Sequence, residues 1–142
     1  MNVPSRIFYL DDDLDSCELM KCWLGDDAGF DVTAVSDLEA AVDMIRSWSF
    51  DLYLLDYCIP GITGVDLCRM VRSKSPSAPI IIYSALSRPV DRELALGAGA
   101  DSYLVKPEDL DNIKSEMRRH IGRSSTNYGR RERGRYRAAG IL

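Results

Sequence analysis

Four short apolar runs of the chain each deliver a polar side chain with chemistry to offer. "RIFYL" (6–10) is followed by Asp11, Asp12 and Asp13, and "FDLYLL" (50–55) by Asp56, with Pro60 and Gly61 soon after. "IIIYSA" (80–85) carries Ser84 near its end, and "DSYLV" (101–105) is followed by Lys106 and Pro107. Two carboxylates about 4 Å apart repel by roughly 4 kcal/mol at an effective dielectric near 20. Three gathered together therefore need a cation or shifted pKa values. All-oxygen ligation by few protein groups suits Mg²⁺, which keeps several waters and favours phosphate oxygens. One carboxylate is then available as a nucleophile of the aspartyl-phosphate kind. Metal, lysine and hydroxyl would share the oxygens of a transferring phosphoryl group.

That chemistry requires the four runs to end at one edge, and the intervening sequence supplies the means. Leu14, Cys17, Met20 and Leu24 recur at helical spacing, so a helix is expected from Leu14 to about residue 28, capped by Asp12 or Asp13 and ended by Gly29. "FDVTAV" (30–35) alternates and reads as a half-buried strand. Ser36 or Asp37 caps a helix whose stripe is Ala41, Met44, Ile45 and Trp48. A loop through Gly64 leads into a third helix that runs to about Lys74, a fourth opens on Pro89, and a fifth, with stripe Leu110, Ile113, Met117 and Ile121, is expected from about Glu108 to about Ile121. Five strand–helix units in strict alternation imply an α/β protein with a parallel sheet covered on both faces. In such a sheet ligands bind at the carboxyl ends of the strands.

The totals fit a globular domain with a core: 142 residues, 46% hydrophobic and 28% charged. No apolar run approaches the roughly 20 residues of a membrane span, and "MNVPSRIFYLDDD" lacks a signal peptide's apolar region, so no membrane partner and a cytoplasmic location are expected. The net charge of −4 conceals an asymmetry. Residues 1–122 carry 12 basic and 21 acidic side chains, a net of −9, whereas 123–142 carry six arginines and one glutamate, a net of +5. The expected organisation is one domain over 1–122 and a flexible Arg-rich tail over 123–142. That tail is an inert end, a linker to a further output domain, or a binder of something acidic, nucleic acid being the weaker case.

"FYLDDD", "DLYLLDYCIPGITG", "YSA" and "SYLVKP" together resemble the receiver domain of two-component response regulators, over roughly residues 5–121. The resemblance implies a doubly wound, flavodoxin-like five-stranded sheet in order 2-1-3-4-5 with five flanking helices. It makes Asp56 the phosphoacceptor for a sensor histidine kinase or a phosphotransfer protein. Asp11 and Asp12 become the acid pair that binds Mg²⁺ with Asp56 and the backbone carbonyl of Cys58. Ser84 becomes the hydroxyl that meets the phosphoryl group, Lys106 the lysine that pairs with it, often across a cis bond to Pro107, and Tyr103 the switch aromatic. It also implies a surface around the fourth and fifth helices that changes on phosphorylation and is open to a downstream target or a second copy. Ile59 stands where the family usually has methionine. Cys58 and Leu86 occupy positions that tune loss of the phosphoryl group, and neither side chain orients an attacking water strongly, so slow self-dephosphorylation is expected.

Rival readings are narrower. "DDDLD" contains the D-x-D of haloacid-dehalogenase-type phosphatases, but Asp15 replaces their Thr or Val, and "PEDLD" is a poor substitute for their later acidic motif. A receiver-like interaction module that works without phosphorylation keeps the fold and loses the chemistry. A flavin binder is disfavoured, since three aspartates stand where a phosphate loop would be. Singly, the residues have plainer explanations. Asp11 to Asp13 suit a helix N-terminus, Asp56 a turn, Ser84 a backbone-bonded hydroxyl, Lys106 a solvated loop, and Tyr103 plain packing. Cys17, Cys22, Cys58 and Cys68 are expected to be buried reduced thiols, Trp23 and Trp48 helix packing residues, and His120 part of the last helix's polar face.

Overall fold

A computed structural model describes residues 3–26 and 29–124, with side chains as far as residue 122. The elements alternate throughout: β1 Ser5–Leu10, α1 Leu14–Gly25, β2 Phe30–Val35, α2 Leu38–Ser47, β3 Leu52–Leu55, α3 Gly64–Lys74, β4 Ile80–Ser84, α4 Pro89–Gly97, β5 Ser102–Val105, a 3-10 turn Leu110–Asn112, and α5 Ile113–Ser124. The strands form one sheet in the order β2-β1-β3-β4-β5, every pair parallel.

Alternate strand residues point to opposite faces, and the two faces bury separate cores. Phe8, Leu10, Tyr53, Leu55, Ile80, Ile82 and Tyr103 pack against α2, α3 and α4. Ile7, Tyr9, Leu52, Leu54, Ile81, Tyr83 and Leu104 pack against α1 and α5 through Met20, Leu24, Ile113 and Met117. β3 and β4 read as continuous apolar runs because both of their faces are covered. Each fully buried Leu or Ile contributes about 1.5–3 kcal/mol relative to exposure.

Several boundaries differ from the sequence reading. α1 ends at Gly25, where the Asp26 N–H donates back to the Cys22 carbonyl, so Gly29 is not its stop. α5 does not begin at Glu108. Asp109 first folds back, its Oδ2 accepting from the Val105 N–H at 2.8 Å, and a 3-10 turn intervenes. Trp48 lies just past α2 and is 53% exposed, with the Arg6 guanidinium 5.8 Å from its ring centroid. Trp23 is half-buried beneath the Lys114 ammonium. Cys17 and Cys68 are buried, but Cys22 and Cys58 are exposed.

His120 is also a correction. It is buried against β5, its Nε2 2.8 Å from Ser102 Oγ, and Ser102 donates to Glu116 Oε1 at 2.7 Å. Helical spacing alone put His120 beside polar neighbours; β5 covers it because α5 lies across the sheet edge. The Arg119 hydrogen bond draws the Glu116 carboxyl down to about 2, against partial burial and helped by Ser102.

Candidate functional site

The carboxyl ends of β1, β3, β4 and β5 supply the site, and backbone hydrogen bonds carry their order one residue beyond the strands. The Asp11 N–H donates to the Val35 carbonyl at 3.1 Å, that of Asp56 to Leu10 at 2.9 Å, and that of Lys106 to Ser84 at 2.8 Å. Each functional residue is therefore held by the end of a neighbouring strand. Asp13 is the N-cap of α1, accepting from the Ser16 N–H and Oγ, and this hydroxyl contact holds its carboxyl below the usual range. The capping explanation thus accounts for Asp13 and leaves Asp11 and Asp12 for other work.

Carboxylate oxygens of Asp11, Asp12 and Asp56 lie within 4.8 Å of one another. Asp11 and Asp56 are buried and Asp12 is exposed, so the cluster opens to solvent on one side. Lys106 Nζ sits between the buried pair, 2.7 Å from Asp11 Oδ2 and 3.1 Å from Asp56 Oδ2. Burial by itself pulls this ammonium's pKa down. The hydrogen bond to Asp11 and the charges of Asp56 and Asp11 outweigh that and leave it raised. The Asp56 Oδ1 accepts from the Cys58 N–H at 2.9 Å. Three hard oxygen donors with one open side fit a small divalent cation such as Mg²⁺ and offer no thiolate or imidazole to a softer one.

Ser84 is fully buried, its Oγ accepting from the Leu86 N–H at 3.3 Å and standing 3.8 Å from Cys58 Sγ. Tyr103 points inward, its hydroxyl donating to the Leu86 carbonyl at 2.7 Å. Burial pushes that phenol up to about 12, against a hydrogen bond with Ser84 that favours the phenolate. Its ring meets Tyr57 edge-on at 5.9 Å. The Lys106–Pro107 bond is cis.

Tyr57 stacks this way because Gly64 has no side chain: a Cβ there would run into the Tyr57 ring. Gly64→Ala is expected to turn Tyr57 off Tyr103 and to lower stability by about 1–3 kcal/mol, the range of an overpacked contact. Thermal unfolding and the near-ultraviolet tyrosine signal check both halves. A change in neither would show that the ring contact has no hold on Tyr103.

The sequence reading did not single out Tyr9, Tyr57 or Tyr83. Tyr9 donates to Asp11 Oδ2 at 2.7 Å, and Lys106 Nζ lies 5.3 Å from the centroid of Tyr83. Burial first, then the hydrogen bond and charge of Asp11, hold the Tyr9 phenol far above its ordinary range. A signal was present for Tyr9: strand period two puts residues 9 and 11 on one side.

A doubly wound parallel sheet with three carboxylates and an ammonium at its carboxyl edge defines a class of small phosphoryl-handling domains. The response regulator receiver domain family matches residues 7–118, and the chain belongs to that family. It is 34% identical over 119 residues to the DNA-binding response regulator MtrA of Mycobacterium tuberculosis, covering 84% of this chain and 51% of MtrA. The chain therefore spans about half the length of that curated relative. Among solved structures it is similar to a CheY-like receiver domain protein of Methanospirillum hungatei, with a TM-score of 0.79 and 20% identity over 88% of this chain and 99% of that one. It is also similar to the receiver domain of sensor histidine kinase PA1611 of Pseudomonas aeruginosa, with a TM-score of 0.73 and 28% identity over 84% of this chain and 99% of that one. That structure holds a magnesium ion in its active-site cleft. The order 2-1-3-4-5 and the five flanking helices agree with the sequence reading. Among the described residues no helix is long and apolar enough to cross a membrane.

Proposed function

We propose that this receiver accepts a phosphoryl group on Asp56 from the phosphohistidine of a sensor histidine kinase or phosphotransfer protein. The observation that carries the reading is the Lys106 ammonium bridging Asp56 and Asp11, with Asp12 completing a carboxylate cluster open to solvent. An Asp56 carboxylate oxygen forms the new bond to phosphorus as the phosphorus–nitrogen bond breaks. The electron pair leaves with the imidazole nitrogen, which takes a proton from solvent. Lys106 turns from the two carboxylates to the transferred group, and Ser84 Oγ, on the neighbouring strand, meets one of its oxygens. Asp11, Asp12, Asp56 and the Cys58 carbonyl would hold Mg²⁺, which would supply positive charge against the phosphoryl oxygens.

The chain catalyses its own phosphorylation and loss of phosphate and turns over no other substrate. That loss is slow, since neither Cys58 nor Leu86 offers a group to steer water. Ser84 and Tyr103 bias a two-state equilibrium of the α4–β5–α5 surface, where Val90 and Leu94 on α4 are about half exposed, 47% and 51%. That surface receives a downstream target or a second copy. The donor docks beside the acids, where a groove of about 400 Å³ lined by Leu19, Trp23 and Leu110 adjoins Lys106. A cytoplasmic location follows from that donor chemistry, and the domain is assigned to residues 1–122.

Incubation with Mg²⁺ and acetyl phosphate, followed by intact mass, tests the reading. One added phosphoryl group is expected, absent from Asp56→Asn and absent without Mg²⁺. A folded protein that takes up neither phosphate nor beryllofluoride would be an interaction module instead, and multiple turnover of a phosphomonoester would make it a phosphatase.

A further inference from the structure

Tyr9 has no part in the chemistry above, yet its hydroxyl touches the centre of the site. Its ring is 1% exposed, packed in the core shared with α1 and α5, so its position is fixed by the fold. Asp11 is equally buried, and each of its oxygens is committed. Oδ2 accepts from Tyr9 and from Lys106, both at 2.7 Å, and Oδ1 accepts from the Asp13 N–H at 3.0 Å.

Lys106 is shared between Asp11 and Asp56 and cannot stay with Asp11 when it turns to a phosphoryl group on Asp56. Its departure removes a charged donor from an oxygen that water does not reach, which is costly unless something remains. The Tyr9 hydroxyl remains, because its ring cannot follow. It covers one lone-pair site of Oδ2, fixes the plane of the carboxylate, and leaves another site for a cation. We propose that Tyr9 is a positioning residue for the acid pair: it holds Asp11 in the orientation in which the carboxylate exchanges Lys106 for a divalent cation. This rests on the reading of Asp11 as a metal ligand. Without the hydroxyl, Lys106 is the one side-chain donor to Oδ2 among the described residues, and a cation must displace it unaided.

The test is Tyr9→Phe, which keeps the ring and removes the donor, with Mg²⁺ affinity measured by calorimetric titration of the unphosphorylated protein. Affinity is expected to fall about tenfold or more, the effect of losing a partner that orients a metal ligand. Tyr53→Phe is the control. It also removes a hydroxyl from a buried strand tyrosine, 3.3 Å from Ser75 Oγ, but well away from the carboxyl edge. Its Mg²⁺ affinity is expected to equal that of the parent. Parent-like affinity in Tyr9→Phe, with Asp11→Asn impaired, would overturn the Tyr9 role alone. Absence of Mg²⁺ binding by the parent, or full binding by Asp11→Asn, would overturn the metal reading and the Tyr9 role with it.

Discussion

Lys106→Met is expected to lower the unfolding free energy at pH 7 by about 3–5 kcal/mol in the absence of divalent cations, the loss typical of a buried ion pair deprived of one partner. Methionine fills much of the volume, so the loss is electrostatic. Asp11 and Asp56, with side chains 2% and 10% exposed, would face each other with no charge between them. Because the lysine's pKa is raised in the fold, its contribution is fully present below the ordinary 10.5 and is lost only as pH rises through the higher folded value. The parent should therefore show no lysine-linked change across neutral pH. The variant should regain about 2.7 kcal/mol in Mg²⁺ at a hundred times its dissociation constant, since the cation binds the folded state alone. Urea unfolding with and without Mg²⁺ measures both numbers. A variant as stable as the parent without the cation would show that the carboxylates are not held together by the lysine.

The same cluster shows why so much was readable beforehand. Asp11, Asp56, Ser84 and Lys106 could be placed at one edge because parallel strands alternating with helices must all end there. Strict alternation also set the architecture, since few right-handed arrangements remain. What the sequence did not yield depends on contacts between elements far apart in the chain. His120 looked like a surface residue on helical spacing, and only the seating of α5 over Ser102 buries it. Trp48 looked like the end of an apolar stripe, but α2 stops at Ser47 and the ring turns outward. The start of α5 was misplaced because Asp109 bonds back to Val105, a local contest between side chain and helix that composition does not decide. Tyr57 against Tyr103 depends on Gly64, seven residues on at the first residue of α3.

Arg72→Ala is expected to cost about 2–4 kcal/mol of stability while leaving the chemistry of the folded protein intact. The guanidinium donates to the carbonyls of Ser75, Pro76 and Ala78 ahead of β4, and to the Gly99 carbonyl and Asp101 ahead of β5. Asp101 in turn accepts from the Ile80 N–H at 2.8 Å, so one side chain ties α3 to the entry of two strands. Gly99 belongs to this clamp, with φ at +117° and the Arg72 stem against it. The side chain is 25% exposed, so water replaces only some of these donors. Arg72→Lys should recover little, because an ammonium lacks the planar fork that spans both loops. Ser84 and Lys106 lie at the opposite ends of the same strands, held by their own ladder bond. Phosphorylation by acetyl phosphate, measured well below the unfolding transition, should therefore proceed at the parent's rate. A slowed reaction in a fully folded Arg72→Ala would mean that strain at the entry of β4 and β5 reaches the site along the strands. An unchanged rate with reduced stability would place the two ends of the sheet under separate control.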